Sequence, residues 1–381
     1  MSELKVKIET ADNLDAVSKT MKFEAEGSDA AVQAVTNAFI GLAGGETPAE
    51  QPEKVVKVAD IQTSNPAVEA AVVAIYDNAG IPSFMYRFKK TTNAELFGGS
   101  DKTHPAFIIG GVEYDEIFIS VYPNCEINGK PYSLPYMKPW TNITNDAAAE
   151  ACFSKGEGWH LVTAPEWGLI ADTCLKNGTL PHGNTNSGKY HANPEEQGKT
   201  YDGYKTLTGS GPATWTHNHT PEGIHDLCGN VWEMIRGLRI KNGVLQVAEN
   251  NDAAENIDLT EGSSLWKDIT DDTNGKAIRV SVSDGSIAIT TNEDAEHDYD
   301  GCEWQEAEKD FVSEKMDELA LFAGEPEAYF YADSTEGEYF PIRGGSWSSG
   351  ANAGVFYTHL HNPRSDVNTS FGFRSAYFKK N

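Results

Sequence analysis

The chain has 381 residues, 39% hydrophobic and 23% charged, an ordinary globular composition that excludes a collagen-like or largely disordered protein. Lys+Arg 30 against Asp+Glu 57 gives a net charge of −27, which repels phosphate backbones and anionic lipid and so excludes general nucleic-acid or membrane-surface binding. Five cysteines make no disulfide framework, and the longest apolar run, Ala67–Tyr76, is too short for a bilayer and contains Glu69. The opening MSELKVKIET lacks the basic stretch and apolar run of a secretory signal, so synthesis in the cytoplasm is expected.

In chain order, Leu4–Ile8 and Met21–Ala25 alternate like strands. Ser28 is placed to cap a helix over 29–42 that Gly44-Gly45 ends, and Gly44–Glu53 has linker composition. A strand at Val55–Val58 and a helix from Pro66 to Asn78-Ala-Gly80 complete a small α/β N-terminal region, 1–80, read as an accessory or attachment unit. Strand-like segments follow at Phe84–Phe88, Ala106–Ile109 and Ile117–Tyr122. Asn145 is expected to cap one helix. Thr163-Ala-Pro-Glu166 is a capping box opening another, which Asn177-Gly178 closes. Cys152 and Cys174 fit small buried core residues better than nucleophiles, having no histidine motif nearby.

Between Glu249 and Glu338 stand 26 acidic and 5 basic residues, a net of −21. Strands are expected there at Ala277–Val282 and Ser286–Thr290, with an amphipathic helix around Glu306–Phe322. The whole stretch, about 240–340, is read as a solvated insertion within one domain over 81–381. The last 39 residues reverse the sign, with Arg343, Arg364, Arg374, Lys379 and Lys380 against Asp366 alone.

Three segments stand out: Gly158–Trp167 (GWHLVTAPEW), Gly223–Glu233 (GIHDLCGNVWE) and Arg343–Trp347 (RGGSW), with Gly372-Phe-Arg374 near the end. Gly229, Gly344, Gly345 and Gly372 suit tight turns or close backbone approach. Trp167, Trp232 and Trp347 are large apolar anchors whose indole N–H needs an acceptor, and Asn230 sits in the same turn as Gly229. Glu233 is expected to form a buried bidentate pair with Arg343 or Arg374, holding distant segments in register.

This ordered set resembles the formylglycine-generating-enzyme (sulfatase-modifying factor) branch of the C-type lectin fold, over roughly 84–381. The resemblance implies an α+β C-type lectin fold behind the small α/β N-terminal region. Within that branch, Trp347–Tyr377 resembles the variable region of proteins diversified by retroelements in phages, archaeal viruses and some cellular genomes. There, mutagenic reverse transcription alters adenines in Asn-rich template codons, and the altered residues form an exposed ligand-binding surface. Randomising the first two bases of AAC or AAT cannot produce Trp, Met, Lys, Gln or Glu, and none occurs between Ser348 and Phe371. The resemblance assigns as variable, ligand-binding positions Ser348, Ser349, Tyr357, His359, His361, Asp366, Val367 and Ser370. Asn352, Asn362 and Asn368 are either unaltered template asparagines or fixed ones. The alternation Tyr357-x-His359-x-His361 puts three side chains on one strand face. The histidines suggest an affinity that depends on pH between about 5 and 7.

Oxidases of the branch carry a reactive cysteine pair near the chain's end, whereas the last cysteine here is Cys302. Related sulfoxide synthases use an N-terminal histidine triad, and no histidine precedes residue 80. The expectation is therefore no enzyme and no cofactor. Zinc at His217, His219, His225 and Cys228 fits no standard spacing, and calcium at Glu296–Gly301 lacks the twelfth-position glutamate. The reading is a receptor-recognition protein for a host-cell surface protein or other macromolecule, displayed on a virion by a carrier protein or as a homo-oligomer. The alternatives are an enzyme with a displaced site and a purely structural virion protein.

Overall fold

The computed structural model describes residues 5–11, 20–26, 71–283, 285–304, 306–321 and 328–380. At the N-terminus Lys5–Ala11 (β1) and Thr20–Glu26 (β2) pair antiparallel, where the alternation placed two strands. The helix expected over 29–42, the linker and the strand at 55–58 lie outside the described residues.

Residues expected to continue the helix from Pro66 instead form a strand, Val72–Tyr76 (β3), hairpinned to Pro82–Lys89 (β4). Val72, Val73 and Ile75 are β-branched and favour the extended chain. The turn between them is fixed by Asp77, whose Oδ1 accepts from the Ala79 and Ile81 amides, both at 2.9 Å. The alanine-rich start of this run carried the mistaken helical signal. After a one-turn helix, Asn93–Phe97 (α1), comes a 3-10 turn at Pro105–Phe107 and a two-residue strand, Ile108–Ile109, where one strand was expected. Glu116–Ser120 (β5) follows.

Asn145–Phe153 (α2) is capped by Thr144, one residue before the cap expected, because its hydroxyl accepts from the Ala147 amide at 3.2 Å. After Trp159–Leu161 (β6), the Thr163 box opens Ala164–Asn177 (α3), and Gly178 ends it in left-handed conformation, as the sequence pattern dictates. Strands β3, β4 and β5 then meet the chain's end. Ser375–Tyr377 (β17) inserts between β5 and β6, giving an antiparallel sheet in the order β6-β17-β5-β4-β3.

The larger sheet begins with Trp232–Met234 (β7), Leu238–Lys241 (β8) and Val244–Ala248 (β9). It continues through Arg279–Ser283 (β10), Ser286–Thr290 (β11) and Tyr299–Glu303 (β12). After the short helix Glu314–Glu318 (α4) come Tyr329–Asp333 (β13), Glu338–Gly344 (β14), Gly354–Pro363 (β15) and Phe371–Phe373 (β16). Its order is β12-β13-β15-β14-β8-β9-β10-β11, with β7 bridging β14 and β16. The fold is α+β, mostly strand with few helices.

Two expectations about the acidic segment change. It is not simply solvated: Ile278, Val280, Ile287, Ile289, Trp304 and Phe330 are buried with Trp167, Ile170 and Leu360 in the main core. Alternation puts its charges outside and its apolar half inside, so composition alone misjudged it. The helix expected over 306–322 shrinks to α4, preceded by a two-residue strand, Glu308–Lys309. Ala320 takes φ +48°, ending the helix so that Arg343 collects the Leu319 and Ala320 carbonyls.

Candidate ligand-binding surface

The frame under the tail is built where the sequence motifs converge. Arg374 lies wholly buried, its Nε donating to Glu233 Oε2 at 2.6 Å and its Nη2 to Glu233 Oε1. It also donates to the Ser120 carbonyl at 2.9 Å and the His225 carbonyl at 3.0 Å. Of the two arginines considered, Arg374 therefore takes Glu233, beside Gly372, which pairs with Glu233 across β7 and β16. Arg343 instead serves backbone carbonyls and lies 5.8 Å from the Trp167 ring, and Trp167 donates its indole N–H to the Val355 carbonyl at 2.7 Å.

The turn at Gly229-Asn230 locks the tail's first loop. Gly229 has φ +73°, and a Cβ there would come within 2.1 Å of the Asn184 carbonyl oxygen, so only glycine fits. Asn230 donates its amide to that carbonyl at 2.7 Å, while its side chain exchanges hydrogen bonds with the Thr206 backbone. The Trp347 amide donates to the Asn230 carbonyl at 3.1 Å, after Gly344 and Gly345 turn the chain with φ +88° and +91°. Trp347 rests 4.7 Å from Tyr204 and 5.0 Å from Lys205 Nζ, and that amine donates to the Thr369 carbonyl at 2.5 Å. Lys205 thus joins both ends of the tail.

Strand β15 carries the middle of the tail. Its inward residues Leu360 and Thr358 are fully buried, so Tyr357, His359 and His361 share the opposite face, as the alternation required. His359 and His361 have ring centroids 4.0 Å apart, and Trp232 stacks on His359 at 5.3 Å. Tyr357 departs from an exposed position: it is only 7% exposed, wedged between Trp232 at 4.7 Å and Tyr329 at 5.6 Å.

The remaining positions sit on turns at either end of β15. Ser348 is exposed, whereas Ser349 turns inward, its Oγ accepting from the Ser346 amide at 2.9 Å. Val367 is 49% exposed, and Asp366 is half-buried. Ser370 donates its hydroxyl to Asn368 Oδ1 at 2.9 Å, and its carbonyl accepts from the Trp232 amide at 2.8 Å. Asn368 therefore closes a turn, and Asn362 is buried, which suits fixed asparagines. The fold puts the His359 ring against His361 and 6.3 Å from the Tyr357 ring. Ser348 and Ser349 belong to the Trp347 turn, tied to residues 185–187.

Sequence reasoning missed the neighbours that the acidic segment contributes. Strand β13 runs parallel to β15 with Tyr331 opposite His359, and Tyr331 lies 4.6 Å from His359 and 5.2 Å from His361. The alternation Tyr329-x-Tyr331-x-Asp333 around buried Phe330 and Ala332 was the available signal.

Electrostatics alter one expectation. Burial, helped by the neighbouring His361, pushes His359 down to about 3, and burial also lowers His361. His359 is neutral throughout pH 5–7, so it supplies no charge switch there.

The cysteines are free thiols. Burial raises Cys125, Cys152 and Cys228 to about 12 and Cys174 further, and burial with nearby Glu306 raises Cys302 to about 11. None is poised as a thiolate near neutrality. His217 Nδ1 accepts from the Ile224 amide at 2.8 Å, and His225 stacks on Tyr122, so both act in packing. Among the described residues no group of three or more His, Cys, Asp and Glu could hold a metal ion, and no helix is long and apolar enough to cross a membrane.

No family model matches the chain, and none of the curated proteins matches it. Among solved structures it is similar to the Major Tropism Determinant U1 variant, with TM-score 0.31 and 10% identity over 82% of this chain and 73% of that one. It is also similar to Treponema denticola variable protein 1, with TM-score 0.31 and 12% identity over 81% of this chain and 99% of that one.

Proposed function

We propose that this chain is a ligand-binding protein with a C-type lectin fold of the formylglycine-generating-enzyme branch. Its tail presents side chains diversified by a retroelement to a host-cell or other macromolecular ligand. The observation that carries this reading is a coincidence of coding and geometry. The stretch from Ser348 to Phe371 contains only residues that AAC or AAT codons can reach or that the frame requires. Its chemically diverse side chains, His359, His361, Ser348 and Val367, lie outward of a frame locked by buried tryptophans and the Glu233–Arg374 pair.

Binding in this reading is surface complementarity. Aromatic and imidazole rings supply contact area at low entropic cost, and Ser348 and Asp366 supply hydrogen bonds. Residues 1–80 would attach the module to a virion carrier protein or to sister subunits. The oxidase alternative needs a reactive thiolate, which the buried thiols do not provide.

The test is the flanking DNA. A second copy of the stretch encoding Trp347–Tyr377, differing mainly at adenines and beside a reverse-transcriptase gene, is the expected finding. A flank with neither feature refutes the diversification mechanism.

A further inference from the structure

The outward face of β15 does not end at the tail. Across the parallel pair with β13 and the antiparallel pair of β13 with β12, register places Tyr299, Gly301 and Glu303 in line with Asp333, Tyr331 and Tyr329. These continue the row of His361, His359 and Tyr357. Tyr299 is 60% exposed. Gly301 has a steric reason: a Cβ there would lie 2.4 Å from the Tyr329 ring and 2.6 Å from the Tyr331 ring. Only glycine lets both rings lean over the edge strand, forming an aromatic platform beside the histidines.

The platform is edged with negative charge. Glu303 and Asp333 share its face, and among the described residues neither has a cationic partner, although exposed acids elsewhere in the segment do, such as Glu261 with Lys241. The stretch from Tyr299 to Asp333 also contains Glu303, Trp304, Gln305 and Lys309, residues that Asn-codon randomisation cannot make. On the proposed reading diversification is confined to the tail, so this half of the face stays constant while the tail varies.

We infer that strands β12 and β13 form the constant half of the ligand-binding face, and that they take a cationic group, an arginine or lysine side chain of a protein ligand, on the Tyr299–Tyr331 platform beside Asp333 and Glu303. Aromatic faces attract such cations, and unneutralised carboxylates beside them add attraction and steer approach. The inference rests on the proposed function and names the chemistry of its ligand.

The test uses the full chain and acetylated tetra-arginine, tetra-lysine and tetra-glutamine peptides, titrated calorimetrically at low ionic strength. Binding of both basic peptides and not of tetra-glutamine is expected. Tyr331→Ala, Tyr299→Ala and Asp333→Asn should each weaken both basic peptides by about fivefold, while Asp268→Asn and Glu261→Gln in the same segment leave them within about twofold. Equal losses from near and remote variants would mean that only the overall charge attracts the peptides, and would overturn the inference, as would the absence of binding. Exchanging His359 and His361 for Ser reads the proposed function separately. That reading requires the preference between tetra-arginine and tetra-lysine to change, whereas the platform variants lower both together.

Discussion

Replacing Glu233 by glutamine keeps its shape and removes its charge, leaving Arg374 buried without a counter-ion. In the native protein the guanidinium makes two hydrogen bonds to the carboxylate and one each to the Ser120 and His225 carbonyls, at 0% exposure. Burial outweighs the attraction of Arg374 and holds the Glu233 carboxyl above the usual carboxylate range, the mark of a pair that costs much to bury. Breaking one side of such a pair costs about 3–5 kcal/mol, and glutamine recovers part of that through a neutral hydrogen bond, so about 3 kcal/mol is expected. Arg374→Met should cost more, because the Ser120 and His225 carbonyls then also lose a donor. The double variant Glu233→Leu/Arg374→Met removes both charges and should be less destabilised than the sum of the singles by about 2 kcal/mol or more. Urea unfolding followed by tryptophan fluorescence, with unchanged denaturant dependence, measures each value. A Glu233→Gln loss below about 1 kcal/mol, or additivity in the double variant, would refute the view that this pair locks β7 to the chain's end.

Three further outcomes separate frame from surface. Tyr357→Ala should cost about 3 kcal/mol by emptying the space between Trp232 and Tyr329, whereas simultaneous exchange of Ser348, His361 and Val367 should shift stability by less than about 1 kcal/mol; equal effects in thermal melts would contradict the division drawn between them. Gly229→Ala should destabilise by several kcal/mol, because of its φ and because its Cβ meets the Asn184 carbonyl, and a melting temperature equal to the parent's would rule out that strained turn. Lys155, buried against Trp159 with Nζ 3.4 Å from the ring and donating to Ser83, is pushed down by burial from 10.5 to about 7. The unfolded chain therefore holds a proton that the folded one has lost, so stability rises with pH from about 7 to 8.5, below the range where the buried thiols work in the opposite sense. The full shift corresponds to about 5 kcal/mol, and Lys155→Met should abolish the rise; a variant with the same pH dependence as the parent would exclude Lys155 as its source.

Local chemistry fixed much of this protein in advance. The Thr163–Glu166 capping box, the Gly178 stop, the strand at Ser286–Thr290 and the alternation of Tyr357, His359 and His361 need only neighbours in the chain, and each forms where the sequence placed it. Glu233 could be marked for a buried arginine because an acid between large apolar anchors has few other ways to be buried. Which arginine it meets depends on Arg374 lying on the short bend between β16 and β17, a long-range matter no local pattern carries. Likewise, 26 acids in one segment announce solvation, yet only sheet pairing decides that β13 lies beside β15 and that Trp304 and Phe330 are core. Charge counts sum over both faces of a strand, and only the folded sheet separates them. The burial of Tyr357 has the same origin: its outward direction follows from the period of two, but the rings that cover it come from residues 232 and 329, far off in sequence.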